Sequence, residues 1–326
     1  MAKTSASPEA KAKSESVLMG RLKDHFKMIR RDIHVNKHIY LIALPMIIYY
    51  IIFKYVPMYG IQIAFKDYNL MKGITASPWV GMKHFIKFVN SYYFVRVVKN
   101  TFLISFYGTL FSFPAPIIFA LLLNEIRSTK FRRTVQTITY MPHFVSIVVV
   151  CGMIHMFCAS DGFLGVAVAN ILGTEPKNLL MNPKYFRTIY ILSDIWKNIG
   201  WNSILYIAAI LGIDQAQYEA AVIDGAGKFA QAIYVTIPGI MPTVIIKLIF
   251  RMGEMMDVGF EKVFLLYNEA TWPVSDVIST YTYREGLLNM NYSYSSAVSL
   301  FNTVINFALL WTTNFISRKV SETSLF

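Results

Sequence analysis

The sequence predicts an all-α membrane protein with six transmembrane helices, and three observations lead there. Hydrophobic residues make up 55% of the 326 and charged residues only 15%, with a mean hydropathy of +0.44; this is too apolar for a water-soluble domain of that length. Six stretches reach or approach the roughly 20 apolar residues needed to cross a hydrocarbon core about 30 Å thick. Lys and Arg divide unevenly between the alternating connections, 16 against 10. The richer side includes the short loop 124–135, where Arg127, Lys130, Arg132 and Arg133 crowd together. Short loops are where the positive-inside rule works best, so that side is read as cytoplasmic, with both termini on it. The net charge of +12 then reflects membrane topology, not nucleic-acid binding.

Residues 1–38 hold nine Lys or Arg and four acids. No apolar core followed by a cleavage site occurs there, so no cleaved signal peptide is expected. Met1–Ser16 has the composition of a disordered tail. Val17, Leu18, Leu22, Phe26 and Ile29 then recur at helical spacing among Arg21, Lys23, Lys27, Arg30 and Arg31. That pattern predicts a basic amphipathic helix lying on membrane lipids.

A transmembrane domain over 39–326 follows, with spans expected at Ile39–Val56, Thr101–Leu123, Tyr140–Phe157, Thr188–Leu211, Ile237–Met256 and Ala297–Ile316. The fifth is interrupted by Lys247, Arg251 and Glu254. Cys151 and Cys158 stand seven residues apart in one span, roughly 10 Å along a helix, which is too far for a disulfide.

The connection 212–235 reads as two short helices meeting at a bend. Asp214 and Gln217 resemble a capping box that opens the first. Gly225 and Gly227 suit a break after Asp224 because glycine takes positive φ at little cost. Lys228–Val235 resumes as helix, and Pro238 falls near the start of the next span. Ala216, Ala220 and Ala221 keep one side of the first helix slim while Glu219 supplies a charge at its rim. Such a helix can enter a groove on another protein; it can also be an ordinary capped loop helix.

Polar groups inside spans face a cavity or a partner helix, because unsatisfied donors in hydrocarbon are costly. Asn198, Asn202 and Tyr206 recur every four residues, with Trp201 on an adjacent face. Amides and phenols suit sugar hydroxyls and aromatic planes cover sugar rings, although the same groups also link helices. Lys247–Arg251 and Arg251–Glu254 have spacings that allow contact, with Asp257 just beyond, as pairing across the bundle or as a charged path. Asn302 and Asn306 share a face of the sixth span. The six histidines form no metal pattern, and Gly227-Lys228 lacks the upstream glycine and following Ser or Thr of a phosphate-binding loop.

The string Glu219-Ala220-Ala221, Asp224-Gly225-Ala226 and Ile237-Pro238 resembles the EAA loop of membrane subunits of binding-protein-dependent ABC importers. Ala232 stands where an aromatic is common, and Ile237 replaces the usual Leu. "FKYVPMYGIQIAFKDYN", "KNTFLISFYG", "LLLNEIRSTKFRRTVQTITYMPHFVS", TVINF and "ISRKVSETSLF" are similar to sugar-importing permeases of Gram-positive bacteria that handle oligosaccharides and polysaccharide fragments. The resemblance implies the type I ABC importer permease fold and a coupling role for Glu219, Ala220, Ala221, Asp224, Gly225 and Ala226. It further implies a second homologous permease, two ATP-binding subunits that carry the ATP and Mg, and an extracellular substrate-binding lipoprotein. No cofactor is expected on this chain. Asn198, Trp201, Asn202, Tyr206, Glu254 and Asn302 are the expected oligosaccharide contacts, and Tyr281 and Tyr283 are expected to meet the receptor. Two other readings are a self-contained secondary transporter, which should show inverted repeats, and an intramembrane enzyme, which should show a nucleophile–base or metal constellation.

Overall fold

A computed structural model describes Met28, Arg31, Asp32 and residues 34–320. The amphipathic helix expected over Val17–Arg31 lies almost wholly outside the described residues. The described residues are helical apart from turns and one isolated bridge between Lys66 and Trp79. The chain divides into two compact units, up to Gln62 and from Ile63.

The first unit is built on α1 (Lys37–Phe65) as far as Gln62, and its residues from Lys37 to Met58 include none that is buried. Ahead of it, Asp32 accepts hydrogen bonds from Asn36 Nδ2 and Tyr40 Oη, both at 2.6 Å. The helix widens to a π-turn over Ile51–Tyr55, two residues before Pro57. Proline has no N–H and crowds the carbonyl four residues back, and the wider turn relieves that crowding.

The second unit carries α2 (Lys83–Val89), α3 (Phe94–Glu125, turned at Pro114), α4 (Thr129–Tyr140), α5 (Ile147–Cys158), α6 (Phe163–Leu172), α7 (Pro183–Leu211), α8 (Gln215–Ile223), α9 (Lys228–Gly253), α10 (Phe260–Leu266), α11 (Ile278–Tyr283, extended by a π-turn Arg284–Leu288) and α12 (Tyr292–Val320). Five helical stretches are long and apolar enough to cross a membrane: α1, α3, α5 with α6, α9 and α12. The sixth, α7, has the length, with 29 residues, and carries Asp194 and Lys197 at its middle.

The helices run several residues beyond most of the expected spans, the second from Phe94, the fourth from Pro183 and the sixth from Tyr292, and two boundaries fall short of expectation. The third span begins at Ile147 and not Tyr140, because α4 ends at Tyr140 and a 3-10 turn containing Pro142 separates the two. The fifth ends at Gly253, which leaves Glu254 and Asp257 beyond the helix. The seam of the fold is α7, packed on α3, α4 and α9, while α12 packs on α9, α2 and α11. One apolar core joins Ile104, Val150, Cys151, Ile154 and Cys158 to Leu180, Phe186 and Val263. The cysteines are buried free thiols within it. A second core gathers Phe88, Tyr281, Tyr294 and Val298.

Candidate functional site

Two regions are candidates for functional chemistry, and α7 and α9 connect them. The first is the bend around α8. Asp214 caps α8 by accepting from the Ala216 amide at 3.0 Å, which satisfies one of the unpaired amides of its first turn. The return bond from Gln217 that would complete a capping box is absent among the described contacts. At the other end Gly225 has φ +78°. The Ala226 amide bonds Ala221 O at 2.8 Å and the Gly225 amide bonds Val222 O at 3.0 Å, the paired arrangement of a Schellman stop, which needs a left-handed residue at that position. Gly227 does not take positive φ; at −68° it starts α9 instead.

After its first turn, α9 widens to a π-turn over Ala232–Thr236, again two residues before a proline, Pro238. Thr236 Oγ1 donates to Gln231 O at 3.3 Å and pairs with Tyr218 Oη at 3.0 Å. Gln231 Nε2 donates to Ala226 O at 2.8 Å. The Tyr218–Thr236 contact therefore ties α8 to α9, and the Gln231–Ala226 bond ties α9 to the bend between them. The outward side of the bend is bare. No residue of α8 is buried, Ile223 is 85% and Phe229 79% exposed, and neither Glu219 nor Asp224 forms an ion pair among the described residues. Exposed apolar side chains therefore stand beside unpaired charge, the composition on which protein interfaces are built.

The second region is a polar interior. A cavity of about 590 Å³ lies between α3, α7 and the 257–262 stretch, lined in part by Ser105, Gly108, Tyr190, Asp194, Arg251 and Lys262. A second, of about 390 Å³, is lined by Asn202, Tyr206, Lys247 and Glu254, and shares Ser112, Asp194 and Arg251 with the first. The Arg251 guanidinium reaches this space because Gly108 has no side chain: a Cβ there would stand 3.3 Å from Nη2. Arg251 Nε donates to Thr109 Oγ1 at 3.1 Å. The expected contacts of Arg251 with Lys247 and Glu254 do not form, and neither cation has an ion-pair partner among the described residues.

Asp194 is held from two sides, by Asn198 Nδ2 at 2.9 Å and by Lys262 Nζ at 3.9 Å. Lys262 also donates to Tyr190 O at 2.7 Å and lies 4.3 Å from the Tyr190 ring centroid. Burial pushes its ammonium down to about 8, with Asp194 acting in the opposite direction.

The sequence-predicted contacts separate here. Asn202 and Tyr206 line the smaller cavity, with Tyr206 only 2% exposed, and Glu254 sits at its edge. Asn198 is absorbed by Asp194 and by His143 Nδ1, which donates to its Oδ1 at 3.1 Å. Trp201 turns away and stacks on His143 at 4.5 Å. Asn302 lines neither cavity, and its buried Oδ1 has no partner among the described residues; Asn306 Oδ1 accepts from the Met256 amide at 2.7 Å and so secures the chain just past α9. Tyr281 is core and not surface: its hydroxyl meets that of Tyr294 at 2.8 Å and its ring stacks on Phe88. Tyr283 packs on Phe260 and Phe264. Asp194 went unnoticed in the sequence, although it lies one turn before Asn198 in the same i, i+4 series.

Comparison with known proteins adds to this geometry. Residues 112–322 match the family model of the binding-protein-dependent transport system inner membrane component. The chain is 40% identical to protein LplB of Bacillus subtilis (strain 168) over 292 residues, 89% of this chain and 92% of that one. It is also 40% identical to the polygalacturonan/rhamnogalacturonan transport system permease protein YteP of the same organism over 291 residues, 89% and 91% of the two chains. A chain from the crystal structure of a bacterial ABC transporter involved in the import of the acidic polysaccharide alginate superposes with a TM-score of 0.82 at 40% identity, covering 90% of this chain and 99% of that one.

Proposed function

Because the chain belongs to the binding-protein-dependent transport system inner membrane components, we propose that it is the permease subunit of an ATP-driven importer of acidic oligosaccharides. It is a transport subunit, and ATP hydrolysis resides on a separate chain. With a second, similar permease it forms the translocation path; two ATP-binding subunits hold ATP and Mg, and an extracellular lipoprotein delivers the sugar. The membrane is crossed with α8 on the cytoplasmic side.

The observation that carries this reading is the bare bend at α8. Glu219, Ala220, Ala221, Asp224, Gly225 and Ala226 form a capped hook, none of them buried by the described residues, and in this proposal an ATPase supplies the cover. When two ATPases close, the hook moves with them. The Tyr218–Thr236 contact passes that displacement into α9, whose Lys247 and Arg251 face the cavities, so an outward-open arrangement is exchanged for an inward-open one.

Acidic sugar is favoured by two facts taken together. The relatives named above include a permease for polygalacturonan and rhamnogalacturonan and a chain from an importer of alginate, and Arg251, lining both cavities, and Lys247, lining the smaller, form no ion pair among the described residues. A guanidinium takes a carboxylate through two parallel hydrogen bonds. Asn202, Tyr206 and Glu254 are placed to meet sugar hydroxyls beside it.

Uptake and sugar-stimulated ATPase activity, measured on the assembled complex with neutral and uronate oligosaccharides, test the reading. Uronates should be preferred, and Arg251→Gln should reduce uronate transport while sparing any neutral sugar carried. Equal transport of both classes by wild type removes the acidic assignment, and purification without any ATPase removes the importer.

A further inference from the structure

A third cavity, of about 530 Å³, opens at the end of the bundle opposite α8. It is lined by Tyr92, Val95, Arg96, Lys99, Asn100, Leu103, Arg187, Pro273 and Val274. Arg187 stands near the start of α7, and α8 follows the end of the same helix. At 1.5 Å per residue the two lie roughly 36 Å apart along its axis, about one membrane thickness.

The lining holds three cations and no acid. Arg96 and Lys99 share a turn of α3, and Arg187 approaches from α7. None of the three forms an ion pair among the described residues. Arg187 Nη2 donates to Asn100 Oδ1 at 3.0 Å, while its buried Nε has no partner among the described residues. Asn100 is itself spent on structure, donating to Pro273 O and Asp276 O. The nearby carboxylate of Asp276 is taken by Arg284 at 2.8 Å. Arg96 lies over the rings of Tyr92 and Tyr93.

Three like charges in one concavity repel one another unless an anion joins them. What continues below them is apolar. Phe102, Phe106 and Leu110 are all exposed, and their spacing along α3 places them on one face that descends from Lys99 for about 16 Å, roughly one leaflet. Tyr92 is also exposed at the upper rim, where interfacial aromatic side chains gather. A cationic pocket above a hydrocarbon-facing stripe matches a molecule with a phosphate head and acyl tails. An acidic protein side chain would satisfy the cations but has no use for the stripe.

We propose that this pocket binds the phosphate headgroup of an anionic phospholipid at the membrane surface opposite α8, with the acyl chains lying along α3. The site is separate from both interior cavities, and it does not depend on the substrate assignment above.

The test uses the assembled complex in nanodiscs of phosphatidylcholine with and without phosphatidylglycerol, followed by stepwise delipidation and native mass spectrometry. Wild type should retain phosphatidylglycerol in preference to phosphatidylcholine. Each cation removed should lower that retention about fivefold. Arg187→Gln also loses its bond to Asn100 and can disturb folding, so Lys99→Gln, at an exposed position, is the decisive variant. Equal retention of the two lipids, or unchanged retention by Lys99→Gln, overturns the proposal. Full displacement of phosphatidylglycerol by millimolar inorganic phosphate would also overturn it, by reducing the pocket to a free-anion site. A Lys99→Gln effect on receptor binding with lipid retention intact would reassign it to a protein partner.

Discussion

α9 is flanked by two connections of opposite character. The one before it, 212–227, secures its backbone with local devices, the Asp214 cap and the Gly225 stop, and leaves its side chains outward. The one after it, 254–291, commits its polar groups to distant parts of the same chain. Asn268 Nδ2 donates to Leu180 O at 2.9 Å, the Ile278 amide to Thr101 Oγ1 at 2.9 Å, and the Met256 amide to Asn306. Asp276, 1% exposed, is clamped by Arg284 at two points and by Thr280. A segment whose hydrogen bonds are locally closed can offer its surface to another protein without unfolding; a segment paired at long range serves its own fold.

Substitutions can break that contrast at either end. The largest expected effect is functional: Glu219→Lys reverses the charge at the centre of the hook and should reduce uptake by about a hundredfold or more. Membrane insertion and melting temperature should not move, since Glu219 has no ion-pair partner among the described residues, and normal uptake by this variant would remove the docking role. Asp276→Ala should do the reverse, costing about 3–5 kcal/mol of stability by leaving Arg284 half-buried and unpaired. Thermal unfolding reads this out, and Asp276→Ala with Arg284→Met should recover most of the loss.

A smaller effect is expected at the stop of α8. Gly225→Ala forces a side chain into a left-handed conformation at about 1–2 kcal/mol; limited proteolysis should find the bend opened while the rest of the complex stays resistant. The smallest concerns pH. Lys262 is held below its free value of 10.5, at about 8, so the folded form releases its proton first. Between those values the unfolded form holds more protons, and stability climbs with pH, by roughly 1 kcal/mol from pH 8 to pH 9. Lys262→Met should lack this increment; an identical pH profile in both proteins would show that Lys262 is not buried as described.

The same contrast governs what the sequence reveals. The hook was legible because its grammar is local: a cap, a glycine stop and a proline lie within about 25 residues of one another. The spans were legible because apolar length is a local property too. The core placement of Tyr281 was not, since nothing near it in sequence announces Phe88 and Tyr294 as neighbours. Asn198 and Trp201 were drawn off toward His143, 55 residues before Asn198, a partner that helical periodicity within α7 does not indicate. Asn202 and Tyr206, one turn apart on α7, stayed on the cavity face.

The widened turn at Ala232–Thr236 sets a phase as well as easing Pro238 into the helix. Relative to regular α-helix it adds one residue, which advances everything downstream by about 100° around the helix axis. The azimuth of Lys247 and Arg251 relative to Glu219 is therefore written in residue number. Removing a single residue from 232–236 would swing both cations out of the cavities while every side chain of the hook kept its identity.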